Sequence, residues 1–245
     1  MQLNTQSIKS RFEKSMDKYD ENAVVQKESA EKLAAETAKI RKNFDVILET
    51  GSGTGLLTQE IKKHLIFKTY YANDLVEKSR TYVTKIIPQA KFIHGNAVKI
   101  NVPQKPDLII SNAMFQWFNK LENITGRCKT VLNKDGILAF STFGPENFIE
   151  LKNLSGLTLN YRSKEEIIKT LEADFEVIHY EEYIRKLNFK TPPELLLHMK
   201  NTGVNSLSAK PWTIKEVKDF CEKYLENFGR VQLTYNPVIV IAKVK

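Results

Sequence analysis

The fold is decided by the stretch Glu49-Thr50-Gly51-Ser52-Gly53-Thr54-Gly55. A short apolar run over residues 44–48 precedes it, and Leu57, Ile61 and Leu65 follow at a spacing of four, which is the core stripe of a helix. The order is therefore strand, glycine turn, helix. In doubly wound α/β folds such a turn binds the ligand, because glycine lets the backbone turn sharply and approach it closely.

Two common ligand classes of such a turn are disfavoured here. A nicotinamide-binding turn needs its third glycine at position 56, which is Leu56, and a phosphate loop needs a Gly-Lys-Ser/Thr sequence that is missing. The carboxylate of Glu49 would repel phosphates but suits a positively charged amino group. A glycine-rich turn without a ligand remains the alternative.

The rest of the chain continues the alternation of strands and helices. It predicts an α/β fold with a seven-stranded, mostly parallel, Rossmann-like sheet, one antiparallel edge strand, helices on both faces and a helical cap. We expect an N-terminal helical cap segment over residues 1–43 and a main domain over 44–245. Helical excursions near 145–170 and 190–227 are expected to cover the site. The predicted strands after the first lie at residues 69–72, 91–94, 107–110, 136–140, 175–184 and 231–241.

Polar residues follow the next strands where each is predicted to end. Asp74 comes 23 residues after Gly51, a spacing typical of an acid that accepts hydrogen bonds from ribose hydroxyls, although an Asp there can also cap a helix. Asn96 and Ala97 follow the third strand, where an amide could pair with an adenine edge or simply form a polar turn.

Asn112 ends the fourth strand, again at the carboxyl edge of the sheet, and is followed by an aromatic cluster that includes Phe115 and Trp117. Such a cluster could line a pocket around a sulfonium, which also favours contact with aromatic faces. The alternative is a helix start that faces the core.

Composition limits the function classes. The chain has 245 residues with 37 Lys and Arg against 29 Asp and Glu, a net charge of +8, and two distant cysteines. Neither a disulfide framework nor a cysteine-based zinc site is supported, and no metal is expected. There is no apolar run of membrane-spanning length and no block of basic residues, and because the N-terminal residues are polar we expect no signal peptide. We expect a cytoplasmic monomer that binds neither membrane nor nucleic acid.

Together, the glycine turn and the residues that follow the second, third and fourth strands resemble the motifs of the class I methyltransferases. Thr50 and Asn96 are small departures from the usual pattern. Further matches over almost the whole chain resemble the malonyl carrier-protein O-methyltransferases of biotin synthesis. These matches are residues 16–20, 23–26, 111–117, 140–144, 161–163, 200–205 and 233–235.

The resemblance implies S-adenosylmethionine as cofactor and S-adenosylhomocysteine as product. The methyl group would go to the free carboxylate of a malonyl group carried on acyl carrier protein or coenzyme A. Another small-molecule methyltransferase is the alternative, and a non-catalytic binding module would not consume the cofactor. The residues that the pattern assigns to the cofactor are Glu49, Gly51, Ser52, Gly53, Gly55, Asp74, Leu75, Asn96, Ala97 and Asn112, with Tyr19 and Gln26 closing over its methionine end.

A carboxylate is ionised at neutral pH, so no general base and no catalytic residue are assigned. Desolvating it is costly, so a cation or a hydroxyl should hold its second oxygen. Arg162, Lys200 and Tyr19 are the candidates, with Phe115 and Trp117 as further substrate contacts; each cation could instead be a solvated surface residue. Acyl carrier proteins are acidic, so we also expect a basic face near the cap that includes Lys186, Lys190, Lys200 and Lys210.

Overall fold

A computed structural model describes residues 5–156, 158–203 and 212–245. Its helices, in chain order, are α1 Thr5–Asn22, α2 Val24–Ile40, α3 Leu56–His64, α4 Ser79–Ile86, α5 Leu121–Val131, α6 Ile149–Ser155, α7 Lys164–Leu171, α8 Pro192–Asn201 and α9 Ile214–Phe228. Its strands are β1 Asn43–Thr50, β2 Ile66–Asp74, β3 Lys91–His94, β4 Leu108–Ser111, β5 Ile137–Phe143, β6 Phe175–Glu182, β7 Arg185–Asn188, β8 Gln232–Tyr235 and β9 Pro237–Val244. None of the described helices is both long and apolar enough to cross a bilayer.

Seven strands form one sheet in the order β3-β2-β1-β4-β5-β9-β6, and β7 pairs with β8 in a separate antiparallel ribbon. Strands β1 to β5 are parallel, and β9 runs antiparallel to both of its neighbours. The predicted seven-stranded, mostly parallel sheet is confirmed. The chain order reverses direction between β1 and β4, which makes the carboxyl ends of these two strands the expected ligand site.

One detail of the prediction is wrong: the antiparallel strand β9 is not at the edge, because β6 lies outside it. The residues explain this order. Val238 to Ala242 are all 0% exposed, and such a continuous apolar strand needs a neighbour on each side and cover on both faces. Only the first residue of strand β6 is buried, and the strand carries several charges, which suits an edge.

The two faces of the sheet are covered by different helices. Helices α2, α3 and α4 pack on one face, around Ile47 and Leu108, and α5 and α7 pack on the other, around Leu48 and Ile109. Adjacent residues of β1 and β4 therefore point to opposite faces, as the strand period of two requires. A third apolar cluster joins α6, α8, α9 and the β7–β8 ribbon beside the carboxyl end of β5.

Replacement of Gly126 in α5 by alanine is expected to raise the free energy of unfolding by about 0.5–1 kcal/mol. The position lies inside the helix, and a Cβ atom there would have no other heavy atom within 4 Å. Alanine therefore gains helix propensity without a clash. Urea unfolding of the two proteins measures the difference, and a variant that is less stable than the parent would contradict this account of α5.

Candidate active site

A cavity of about 690 Å³ opens at the carboxyl ends of β1, β2, β4 and β5. Its volume is within the usual range for small-molecule sites. Its wall includes most of the residues that the sequence assigned to the cofactor: Tyr19, Gln26, Gly51, Ser52, Gly53, Asp74, Leu75, Asn96, Ala97 and Asn112.

The glycine turn between β1 and α3 forms one side of the cavity. Gly51, Gly53 and Gly55 have φ angles of +70°, +53° and +87°, a region that residues with a Cβ atom rarely adopt. The amide groups of Gly51 and Ser52 donate to the carbonyl of Asn73 at 2.8 and 3.0 Å, which ties the turn to β2. The turn thus brings bare backbone to the cavity wall.

Asp74, at the end of β2, supports the glycine turn through hydrogen bonds. Its Oδ2 accepts a hydrogen bond from the Gly53 amide, and its Oδ1 accepts one from the Val76 amide, both at 2.8 Å. Burial raises the pKa of Asp74, and these backbone donors oppose that rise. Each carboxylate oxygen can accept a further hydrogen bond, so Asp74 is equipped to receive two hydroxyl groups.

Glu49 lies elsewhere than expected. It is absent from the cavity wall and is buried behind the glycine turn, where Thr58 donates to its Oε2 at 2.6 Å and Tyr70 donates to the same oxygen. Because side chains alternate along β1, Glu49 shares a face with Ile47 and points towards α3. The direct contact with an amino group that its charge suggested has no support in this arrangement.

Burial raises the pKa of Glu49 from its ordinary 4.5 to about 7, with the charge of Asp74 adding to the rise and the hydroxyls of Thr58 and Tyr70 opposing it. Between pH 4.5 and 7 the folded chain keeps a proton that the unfolded chain has lost. The free energy of unfolding should therefore fall as the pH rises through this window, by on the order of 3 kcal/mol.

Replacement of Glu49 by glutamine is expected to flatten this pH dependence, because the amide oxygen can still accept from Thr58 but has no charge to bury. Urea unfolding of both proteins at pH 5 and pH 7.5 measures the effect. Groups that titrate in both proteins cancel in the comparison, so an identical pH dependence would show that Glu49 does not titrate in this range.

The turn after β3 forms the part of the cavity wall where the adenine of the cofactor is expected. Leu75, Asn96 and Ala97 line the cavity there, and Asn96 Oδ1 accepts from the Val98 amide at 3.1 Å. The amide side chain is thus fixed in orientation beside the cavity, which fits an adenine edge.

The segment after β4 joins the sheet to the N-terminal helices. Asn112 donates from Nδ2 to the carbonyl of Gln26 at 2.9 Å and accepts at Oδ1 from the Ser141 hydroxyl at 2.5 Å. Above it, α1 is held over the glycine turn by a hydrogen bond from Thr54 to Asp20, also at 2.5 Å. These links place Tyr19 and Gln26 against the cavity, and their contact with the methionine end of the cofactor stays a prediction.

The substrate residues expected from the sequence are only partly placed at the cavity. Tyr19 and Trp117 line it. Phe115 does not: it is 2% exposed and stacks on Phe140 at a centroid distance of 4.2 Å, so it belongs to the core. The predicted contact of Phe115 with the substrate is therefore corrected. The short 3-10 turn at residues 115–117 directs the ring of Phe115 into the core.

The two expected cations are also absent from the wall. Arg162 lies outside the cavity, where it donates to the carbonyl of Asn119, and Lys200 is on the exposed face of α8. Both belong to segments that do reach the cavity, through Tyr161 and Thr202. Residues 204 and 205 of the same matched stretch, and Lys210, lie outside the described residues.

Among the polar wall residues that sequence reasoning missed are Asn147, Tyr161 and Tyr235. The two tyrosines stood within stretches that matched the family, so a signal for them existed. Asn147 had none, because the contact that fixes it, with the backbone amide of Asn236, joins residues far apart in sequence.

The residues present fit an adenosyl cofactor. Buried atoms of four wall residues have no hydrogen-bond partner among the described residues: Gln26 Oε1, Ser52 Oγ, Gln116 Oε1 and Asn147 Nδ2. A buried polar atom without a partner is costly, so these atoms are suited to a polar ligand. A Cβ atom at Gly51 would also approach the Met114 side chain at 3.0 Å, so the cradle depends on glycine.

Comparisons with known proteins show the family to which the chain belongs. Residues 48–140 match the family model described as "Methyltransferase domain". The N-methyltransferase NodS from Bradyrhizobium japonicum, solved with S-adenosylhomocysteine, shares the fold: the TM-score is 0.53 at 8% identity, over 87% of this chain and 85% of that one.

Two curated relatives are much closer in sequence, and both are named malonyl-[acyl-carrier protein] O-methyltransferase. The protein from Bacteroides thetaiotaomicron is 35% identical over 99% of each chain. The protein from Chlorobium luteolum is 35% identical over 94% of this chain and 92% of its own. The chain therefore belongs to the malonyl-[acyl-carrier protein] O-methyltransferase family and is an S-adenosylmethionine-dependent enzyme.

Proposed function

We propose that this enzyme methylates the free carboxylate of a malonyl thioester, carried on acyl carrier protein or on coenzyme A, and so acts early in biotin synthesis. The observation that carries the proposal is the identity with the curated relatives over nearly the full length of both chains, including the cap segments that usually set substrate specificity. We also propose that it works as a cytoplasmic monomer.

The cavity supports this chemistry. S-adenosylmethionine, when bound, supplies the methyl group and leaves as S-adenosylhomocysteine. The malonyl carboxylate is already ionised at neutral pH, so it accepts the methyl group without losing a proton, and the product is the methyl ester. The chain's own task is to orient the carboxylate and to keep water away.

The described residues divide this task between them. The glycine turn and Asp74 hold the nucleoside end, with Asn96 beside it. The rings of Phe143 and Phe148 line the opposite end and provide an apolar wall that excludes water. Mutual orientation of this kind is the main contribution that a protein makes when no acid or base is needed.

The proposal is tested by incubating the purified protein with S-adenosylmethionine and either malonyl-coenzyme A or malonyl carrier protein. We expect the malonyl group to gain the mass of one methyl group as S-adenosylhomocysteine accumulates. Acetyl-coenzyme A, which lacks the free carboxylate, is the matched control and should gain nothing. Methyl transfer only to some other acceptor would reject the proposed substrate.

A basic face beside the cap supports a carrier-protein partner. Lys186, Lys190 and Lys200 are exposed on β7, on the loop that follows it and on α8. Such a surface attracts an acidic protein over roughly a Debye length, about 8 Å at physiological salt.

Raising the salt concentration is therefore expected to raise the Michaelis constant for malonyl carrier protein several-fold more than that for malonyl-coenzyme A. Screening weakens attraction between protein surfaces that are far from the reacting atoms, and the smaller substrate makes fewer such contacts. Steady-state kinetics at low and high salt with both substrates measure the difference. Equal effects on the two substrates would exclude electrostatic steering by this face.

A further inference from the structure

The cavity ends, away from the glycine turn, in a group of uncharged polar side chains. We call this group the polar seat; it consists of Asn147, Tyr161 and Tyr235, which all line the cavity. It lies next to the rings of Phe143 and Phe148, whose centroids are 5.9 and 4.8 Å from that of Tyr235.

No cation lies in the seat among the described residues. The basic residues of the described wall are Lys9 and Lys120. Lys9, on α1, acts electrostatically on Glu77, which follows the ribose-binding Asp74. Lys120 is exposed, and the carbonyl of its neighbour Asn119 accepts a hydrogen bond from Arg162. No lysine is among the groups that act electrostatically on Tyr161 or Tyr235.

Asn147 is fixed as a hydrogen-bond donor. Its Oδ1 accepts from the backbone amide of Asn236 at 3.1 Å, which leaves Nδ2 as the group that is free to turn to the cavity. The residue is 1% exposed, and Nδ2 has no hydrogen-bond partner among the described residues. The hydroxyl of Tyr161 lies nearby, close enough for Asn147 to lower the pKa of that hydroxyl.

The direction of the Tyr235 hydroxyl is controlled by its contact with His198. Its oxygen lies 2.7 Å from His198 Nε2, and both residues are buried. Burial lowers the pKa of His198 to about 4, so the ring is neutral at pH 7, while burial raises the pKa of both tyrosines of the seat. All of these groups are therefore uncharged, and both hydroxyls keep their protons.

A neutral histidine can either accept from the Tyr235 hydroxyl or donate to it. A carboxylate only accepts hydrogen bonds, so its binding requires the tautomer in which His198 Nε2 carries the proton and donates to the tyrosine oxygen. The hydroxyl proton of Tyr235 can then turn to the cavity, where the side chains of Thr202 and Gln26 also come within hydrogen-bond reach of the tyrosine oxygen.

We propose that the free carboxylate of the acyl substrate is held by the three uncharged donors Asn147, Tyr161 and Tyr235, with His198 as a positioning residue behind Tyr235. This inference rests on the proposed function and replaces the cations expected from the sequence. It also gives a reason for their absence. Methyl transfer removes the carboxylate charge, so a cation would stabilise the starting state more than the transition state and would slow the reaction. Uncharged hydrogen-bond donors replace the water that the carboxylate loses on binding, and they stabilise the starting state less than a cation does.

The first test replaces each donor of the seat without changing its shape. Asn147→Asp, Tyr161→Phe and Tyr235→Phe are each expected to raise the Michaelis constant for malonyl-coenzyme A by about 10- to 100-fold, which is the worth of one hydrogen bond to a charged group. Asn147→Asp should have the largest effect, because an acid there would face the substrate carboxylate. Its side chain can still accept from the Asn236 amide, so the local fold is kept.

Two matched controls carry the same chemical changes outside the cavity. Tyr180→Phe removes a hydroxyl that contacts Glu182 on the edge strand, and Asn227→Asp alters an exposed residue of α9. Both should keep the parent Michaelis constant. Calorimetry with S-adenosylhomocysteine should give an affinity within about twofold of the parent for every variant, which separates loss of the seat from loss of the fold.

The positioning role of His198 has its own test. His198→Leu is expected to raise the Michaelis constant as much as Tyr235→Phe, whereas His198→Gln should restore most of the loss, since its amide can donate to the same oxygen. A purely structural histidine would not distinguish the two replacements in this way.

Several results would overturn the inference. Normal Michaelis constants for Asn147→Asp and Tyr161→Phe would reject the seat, and so would a large rise for Arg162→Gln or Lys200→Gln with the seat variants unaffected. A parent protein that methylates no malonyl thioester would reject the proposed function and the seat with it. A parent that does so, while the seat variants behave normally, rejects the seat alone.

Discussion

Replacement of Asp74 by alanine is expected to weaken binding of S-adenosylhomocysteine by about 100- to 1000-fold. A carboxylate that accepts two hydroxyl groups contributes two charge-assisted hydrogen bonds, each worth about 1.5–3 kcal/mol. The change also removes the acceptors that hold the amides of Gly53 and Val76, at 2.8 Å each, so the glycine turn loses its support. Isothermal titration calorimetry with the purified proteins measures the loss.

Asp45 provides the matched control for this change. It is an exposed aspartate whose side chain pairs with Lys68 on the surface at 2.7 Å, and such pairs contribute little to stability. Asp45→Ala should therefore bind S-adenosylhomocysteine as the parent does. If the Asp74 variant also bound normally while remaining folded, the ribose assignment, and with it the placement of the cofactor, would have to be abandoned.

The fold could be predicted largely from the sequence because its signals are local. The glycine turn lies between an apolar strand and a helix with apolar residues every four positions, so its structure follows from neighbours in the chain. The position of β9 could not be predicted in this way. Which strand lies outermost depends on pairing between β6 and β9, elements separated by more than fifty residues. The apolar residues on both faces of β9, compared with the polar and charged residues of β6, were the available clue.

Much of the cavity wall was predictable for the same reason, since its residues follow the ends of successive strands. Glu49 shows the limit of that reasoning. Its place in the motif suggested a ligand contact, whereas the period of two along β1 puts it on the face of Ile47 and away from the cavity. The strand period, applied to this residue, would have indicated its true direction.

The proposed polar seat was not predictable from residue types alone. A charge argument favours Arg162 and Lys200, because a carboxylate in water is held best by a cation. The structure instead brings together Asn147, Tyr161 and Tyr235, from segments up to ninety residues apart, and leaves the cations outside. A buried amide such as that of Asn147 becomes a donor only through the partner that fixes its orientation, and that partner is a tertiary contact.

Replacement of Gly51 by alanine is expected to reduce the affinity for S-adenosylhomocysteine by about 10- to 100-fold and to lower the free energy of unfolding by about 1–2 kcal/mol. The backbone φ of +70° is unfavourable for alanine, and its Cβ would lie 3.0 Å from the Met114 side chain at the cavity wall. Relief of either problem turns the glycine loop or pushes Met114 into the space for the cofactor.

Gly229→Ala separates these two effects. Gly229 ends α9 with a similar φ of +63°, but a Cβ atom there meets no other heavy atom within 4 Å. It should lose the same 1–2 kcal/mol or so of stability, as measured by urea unfolding, because the backbone strain is the same. Its affinity in calorimetry should not change. Because strain alone would affect both proteins equally, a loss of affinity confined to Gly51→Ala can arise only from the surroundings of the glycine turn. An equal loss in both, or in neither, would show that close approach of the bare backbone at Gly51 is not what binds the cofactor.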